Sequence, residues 1–208
     1  MNKKVVLLIT GLLAAAALGA AAGAPRVLIR TELGEILIEV YPDKAPITAA
    51  NFLRYVDGGL YDGTVFHRTV TLANQPKDPV KIEVIQAALL PPDKTFPPIA
   101  HETTEMTGLR HKDGTISMAR SAPGSATSSF FICINDQPEL DFGGRRNPDG
   151  QGFAAFGQVL SGLDVVRKIH VQPAEGQTLK PPVKIISAAR VEAKHLAAAK
   201  TRTNRPSR

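Results

Sequence analysis

Ile36, Ile38 and Val40 alternate with Glu35, Leu37 and Glu39, and the segment before them, from Val27, is similarly rich in β-branched residues. Two extended runs hinged at Leu33-Gly34 predict a β-hairpin. The period then changes. Ala49, Phe52, Leu53 and Val56 fall at i, i+3, i+4 and i+7, Pro46 suits a first helical turn, and Gly58-Gly59 supplies a left-handed stop, so a helix is expected. Short apolar runs follow at 64–70, 80–89, 115–120, 130–135, 153–160 and 183–191, with a second helical pattern over 163–170. Many short strands separated by Gly/Pro turns, with two helices, predict a mainly β fold, an antiparallel barrel or sandwich.

Three stretches read as loops. Residues 72–79 are polar with two prolines, 91–98 hold four prolines, and 142–152 (FGGRRNPDGQG) hold four glycines. The chain shows no internal repeat. From Ala193 onward it turns Ala-rich and then Thr/Arg/Pro/Ser-rich, which predicts a disordered basic tail over 193–208.

At 208 residues the chain can bury one substantial core. Its formal charge of +6 would suggest a polyanionic partner, but the charge sits at the ends. Residues 25–189 carry 17 Lys/Arg against 18 Asp/Glu, whereas 190–208 carry six against one. The body therefore offers no basis for nucleic-acid binding. A single cysteine, Cys133, excludes an internal disulfide and argues against a structural metal site.

Residues 1–24 read as an export signal: Lys3 and Lys4, an apolar run from Val5 to Leu18, then small residues with an Ala20-x-Ala22 cleavage pattern. The run falls short of the roughly 20 residues a membrane-spanning helix needs, so cleavage rather than anchoring is expected. No cysteine follows the run to carry a lipid. The expected location is periplasmic or secreted, with a mature domain over 25–192.

Several segments then occur in a telling order. They are Asn51-Phe52, Phe66-His67-Arg68, Val84-Ile85-Gln86, Gly114 to Ala119, Ser128 to Cys133, Leu140-Asp141 and Ala155-Phe156-Gly157. From about Val27 to Val191 this series resembles the cyclophilins. The resemblance implies a closed eight-stranded antiparallel barrel with two capping helices, a substrate groove on its outer face and peptidyl-prolyl cis/trans isomerase activity on X–Pro bonds. It implies no cofactor and no metal, and proline-containing polypeptides as partners; the charge balance of the body and the cleaved signal leave no nucleic-acid or membrane partner to expect, and a monomer is expected.

By the same resemblance Arg68 is the catalytic residue. Phe131 forms the pocket floor, Leu140 a wall, Ala119 a backbone contact, and Gln86 a grip on the substrate carbonyl that orients the arginine. His67, next to Arg68, is expected on the opposite face of the strand as a structural histidine, and Met118 in the core.

The sequence also departs from the family pattern. A longer stretch separates Arg68 from Gln86, so that Glu83 falls where a pocket phenylalanine is usual and Val84 where a methionine is. Ala87-Ala88 replace a glycine pair and Ser129 a glutamine. Glu139 stands at the aromatic of the pocket mouth, and Phe153 at a histidine or tyrosine. Two carboxylates near the pocket would either pair with Arg68 or favour Lys or Arg beside the substrate proline.

Three other readings compete. One is a cyclophilin-fold binding module or holdase chaperone with weak or no isomerase activity. Another is a surface or nucleic-acid binder acting through the tail. The third is a hydrolase, for which Ser125, Ser128, His67 and His170 supply no recognisable arrangement.

Overall fold

The computed structural model describes residues 23–191. The signal expected over 1–24 lies almost entirely outside the described residues, and the tail 193–208 wholly so. The predicted hairpin forms from β1 (Arg26–Thr31) and β2 (Gly34–Val40), paired Ile29 to Ile36 and Val27 to Ile38. The remaining strands are β3 (Val65–Val70), β4 (Val84–Ala87), β5 (Thr115–Met118), β6 (Phe130–Cys133), β7 (Ala154–Ser161), β8 (Ala174–Glu175) and β9 (Thr178–Val191).

Neighbours run β1-β2-β7-β5-β6-β4-β3-β9, all antiparallel, and β9 pairs back onto β1. Eight strands thus close the barrel that the resemblance implied, and β8 is a two-residue addition hairpinned to β9. Among the described residues, closure leaves no long unpaired sheet edge.

Helix α1 (Pro46–Asp57) begins and ends where its signals predict, with Gly59 at φ +63° just beyond it. Its Phe52 ring lies 5.5 Å from Phe130 and 4.9 Å from Phe156, within the barrel core. Ala45, ahead of the helix, has no side chain able to cap it. The buried carboxylate of Glu102, 54 residues away from Thr48, accepts from the Ile47 and Thr48 amides at 3.1 and 2.7 Å instead. α2 (Thr104–Thr107) is one turn that the sequence reading did not anticipate. α3 (Leu163–His170) buries Val166 and Ile169 in the same core.

Two strand boundaries differ from expectation by more than two residues. The run 80–89 forms a strand only over β4, which ends where Ala88 takes φ +61°. β9 starts earlier than 183, since its first residues pair with β8 and β3 on either side of Pro181-Pro182.

The apolar residues form two clusters. One fills the barrel; the other, made of Val70, Ile82, Val84, Phe131, Cys133 and Leu140, lies against its outer wall. Strands β4 and β6 are therefore buried on both faces, which explains why Phe130–Cys133 reads as an unbroken apolar run.

Candidate active site

One cross-strand row assembles the site. Thr178 pairs with Arg68, Arg68 with Gln86, Gln86 with Phe131, and Phe131 with Ser117. Directly paired residues project to the same side of a sheet, so Arg68, Gln86 and Phe131 stand side by side at roughly 4.8 Å intervals on the outer wall. They line a cavity of about 100 Å³ with Ile82, Val84, Ala119, Arg120, Leu140 and Phe153. A larger open groove of about 600 Å³ runs past His67, Leu60, Leu89 and Pro91, and none of the row lines it.

The cavity is apolar at its base. Phe131 forms the floor with Phe153 edge-on to it, ring centroids 5.2 Å apart. Behind the floor, the His111 ring stacks on Phe131 at 6.0 Å and 16°. His111 is held from both ends, with Nδ1 2.8 Å from Asp141 Oδ1 and Nε2 3.0 Å from the Ser117 hydroxyl. In this Ser-His-Asp chain Ser117 is 0% and His111 1% exposed, so it braces the floor and offers no nucleophile to solvent.

Arg68 spans the polar side. Its Nη1 donates to Gln86 Oε1 at 2.8 Å, its Nε to Gln177 Oε1 at 2.9 Å, and its Nη2 to the same Gln177 oxygen. Ser129 explains the orientation of Gln86. Its hydroxyl donates to the Ala87 carbonyl and so accepts from Gln86 Nε2 at 3.1 Å, which turns the amide oxygen toward the arginine. Burial, followed by the charge of Arg146, lowers the Arg68 pKa from its ordinary value, against the pull of Asp78.

Arg120 ties the glycine-rich loop down. Almost wholly buried, it pairs with Asp149 at 2.7 Å and donates to the Gly152 carbonyl. The Arg120 hydrogen bond, aided by the Gln151 amide, holds the Asp149 pKa down to about 2. Gly152, at φ +61°, has no room for a side chain; a Cβ there would meet the Leu140 and Asp141 backbone at 2.5 Å. This close approach brings Phe153 to the pocket.

The insertion after β3 is pinned by side-chain hydrogen bonds. Gln75 is buried and bonds the Thr71 and Ile82 carbonyls, and Arg146 reaches from the opposite loop to Asp78 and the Val80 carbonyl.

Seven of the nine expected site residues meet here: Arg68, Val84, Gln86, Ala119, Phe131, Leu140 and Phe153. Glu83 is a correction. Residues 82, 84 and 86 share the outward face, so Ile82 takes the wall and Glu83 turns away to accept from Asn135 Nδ2 at 3.1 Å. Glu139 is the other: it does not line the cavity, and its carboxylate pairs with Arg145 at 2.7 Å. Neither carboxylate bonds Arg68, whose partners are two neutral amides, so the charge-based preference expected from the sequence loses its basis. His67 is also not set by simple alternation. The register shifts between Phe66 and Arg68 on both sides of β3, leaving His67 as a bulged residue facing the larger groove.

Sequence reasoning missed Ile82, Arg120, His111 and Gln177. The i, i+2 spacing of Ile82 and Val84 was a usable signal. For Gln177, in a turn 109 residues from Arg68, there was none.

The two histidines predict how stability responds to acid. In an unfolded chain an imidazole protonates near pH 6.5. Burial lowers the pKa of both His67 and His111 in the folded protein, the Arg68 charge adding to it at His67 and Asp141 opposing it at His111. Below about pH 6.5 the unfolded chain therefore holds more protons than the folded one, and stability falls as pH drops toward 5. Urea midpoints at pH 7.5 and 5.5 check this; a midpoint that rises on acidification contradicts it.

Comparison with known proteins bears on the family and the fold. Residues 26–190 match the family described as cyclophilin type peptidyl-prolyl cis-trans isomerase/CLD. A peptidyl-prolyl cis-trans isomerase of Acinetobacter baylyi is 37% identical over 193 residues, covering 90% of this chain and 95% of that protein. Peptidyl-prolyl cis-trans isomerase B of Escherichia coli is 38% identical over 144 residues, 69% of this chain and 82% of that one. Among solved structures, a cyclophilin type isomerase of Cryptosporidium parvum, crystallised in the presence of the dipeptide Ala-Pro, superposes with a TM-score of 0.64. It is 20% identical and covers 80% of this chain and 99% of that one.

Proposed function

The chain belongs to the cyclophilin-type peptidyl-prolyl cis-trans isomerases, and from that premise we propose that Arg68 drives the rotation by hydrogen bonding the nitrogen of a substrate proline seated in the apolar cavity. The observation that carries this reading is the half-buried guanidinium flanked by two neutral amides at the edge of an aromatic-floored slot.

An X–Pro amide resists rotation because its nitrogen lone pair is conjugated with the carbonyl, a barrier of roughly 18–20 kcal/mol. As the bond twists, the nitrogen becomes pyramidal and its lone pair localises. A donor aimed at that lone pair interacts with the twisted state and hardly at all with either planar isomer, which is the requirement for raising a rate. Guanidinium fits this role, being permanently charged with rigidly directed donors. Phe131, Phe153, Leu140 and Val84 hold the pyrrolidine ring by burial. Gln86, whose amide oxygen faces Arg68, keeps its NH₂ turned to Ser129 and serves the reaction chiefly by orienting the arginine.

The substrates are X–Pro segments of exported proteins. Export rests on the sequence of residues 1–24, and the Ala-Pro dipeptide used with the Cryptosporidium protein supports a simple peptide as the first substrate to try. Because no carboxylate lines the slot, Glu-Pro and Lys-Pro peptides are expected to isomerise within about threefold of one another. A preference of tenfold or more for Lys-Pro, measured across a series varied at the residue before proline, would contradict this account of the rim.

A further inference from the structure

Resting on that reading, we propose that Gln177 is a positioning residue for catalysis, holding the Arg68 guanidinium in the plane from which it reaches the prolyl nitrogen. An arginine carries five N–H donors. Gln177 Oε1 receives the Nε–H and one Nη2–H, which lie on the same edge of the group, and Gln86 Oε1 receives one Nη1–H. Two N–H groups remain, one on each terminal nitrogen, and among the described residues neither has a partner. With a single acceptor the guanidinium could still pivot about that bond. Two acceptors, one from β4 and one from the β8–β9 turn, fix both its plane and its rotation.

The turn that presents Gln177 is itself fixed. Its carbonyl accepts from the Thr69 amide at 2.9 Å, next to Arg68 in the chain. Asn74 Nδ2 donates to the Gly176 and Thr69 carbonyls, both at 3.0 Å, joining the turn to β3. Gln177 Nε2 points at the Asn74 carbonyl at 3.4 Å, leaving its oxygen toward the arginine. The amide is also the right chemical type. A carboxylate here would hold the same edge but draw charge from the guanidinium, whereas a neutral acceptor orients it and leaves the charge for the substrate nitrogen.

The test compares Gln177→Leu, which keeps the size and removes the acceptor, with Gln177→Glu, which keeps an acceptor, each in the native and the Arg68→Ala background. On an Ala-Pro peptide, Gln177→Leu lowers kcat about tenfold with KM within about twofold, since only the twisted state is affected. Gln177→Glu loses less. In the Arg68→Ala background, Gln177→Leu adds no further loss, because the two residues act as one unit. If leucine is not tolerated in the turn, Gln177→Ser, too short to reach Arg68, gives the same readout. An unchanged kcat for Gln177→Leu overturns the proposal, as does an equal loss with and without Arg68. These outcomes are separable from failure of the functional reading, which would show as full activity in Arg68→Ala alone.

Discussion

Arg68→Lys keeps a positive charge in the slot and still lowers kcat/KM on an Ala-Pro peptide by about a hundredfold, the effect typical of removing one directed donor from a reacting centre. The lysine ammonium is a point charge on a flexible stem and cannot engage two fixed acceptors while presenting further donors in a set plane. Gln177 and Gln86 would then compete for it, and the direction toward the prolyl nitrogen would be lost. Arg68→Ala should fall at least as far. In both variants peptide affinity is expected to change little, because Phe131, Phe153 and Leu140 still line the cavity proposed to take the proline ring. Steady-state rates over a range of peptide concentrations separate the two parameters. A lysine variant with near-native kcat/KM would mean that charge alone suffices and that the orientation argument is mistaken.

Asp141→Ala is expected to destabilise the fold by about 3 kcal/mol, which for a domain of this size corresponds to a fall of roughly 6–12 °C in thermal midpoint. Asp141 Oδ1 accepts from both the His111 amide at 3.0 Å and the His111 ring at 2.8 Å, and the ring is fully enclosed. Removing the carboxylate strands two buried donors beneath the pocket floor. Asp141→Asn retains an oxygen for the same two donors and should cost clearly less. Thermal unfolding of the pair checks this: equal losses for alanine and asparagine would mean that the carboxylate does not act through its hydrogen bonds to His111.

Much of the scaffold was legible because its signals are local. The β1–β2 hairpin follows from a period of two around Gly34, and α1 from the spacing of Ala49, Phe52 and Val56 between Pro46 and Gly58. Phe131 was not assignable from pattern alone. In a strand buried on both sides every position is apolar, so parity says nothing about which ring faces the barrel and which the slot; Phe130 does the first and Phe131 the second.

Glu83 shows a different failure. The inserted segment between Arg68 and Gln86 hides the strand frame, and a shift of one residue moves a side chain to the other face. Pairing of Val70 with Val84 sets the frame and makes Ile82 the wall. Gln177, Asp141 and Arg120 act through contacts between segments distant in sequence, and nothing in their own neighbourhoods announces those partners.

The most direct measurement is exchange NMR on an Ala-Pro peptide mixed with the native protein or with Arg68→Ala. Unaided, cis and trans forms interchange in roughly 10–100 s. With native protein, cross-peaks between the two forms should grow within a fraction of a second. With Arg68→Ala, the peptide resonances should still shift on binding while the cross-peaks fall back toward the uncatalysed rate. Cross-peaks of native intensity in Arg68→Ala would contradict the account, leaving the barrel and its slot intact but moving the source of catalysis away from the guanidinium.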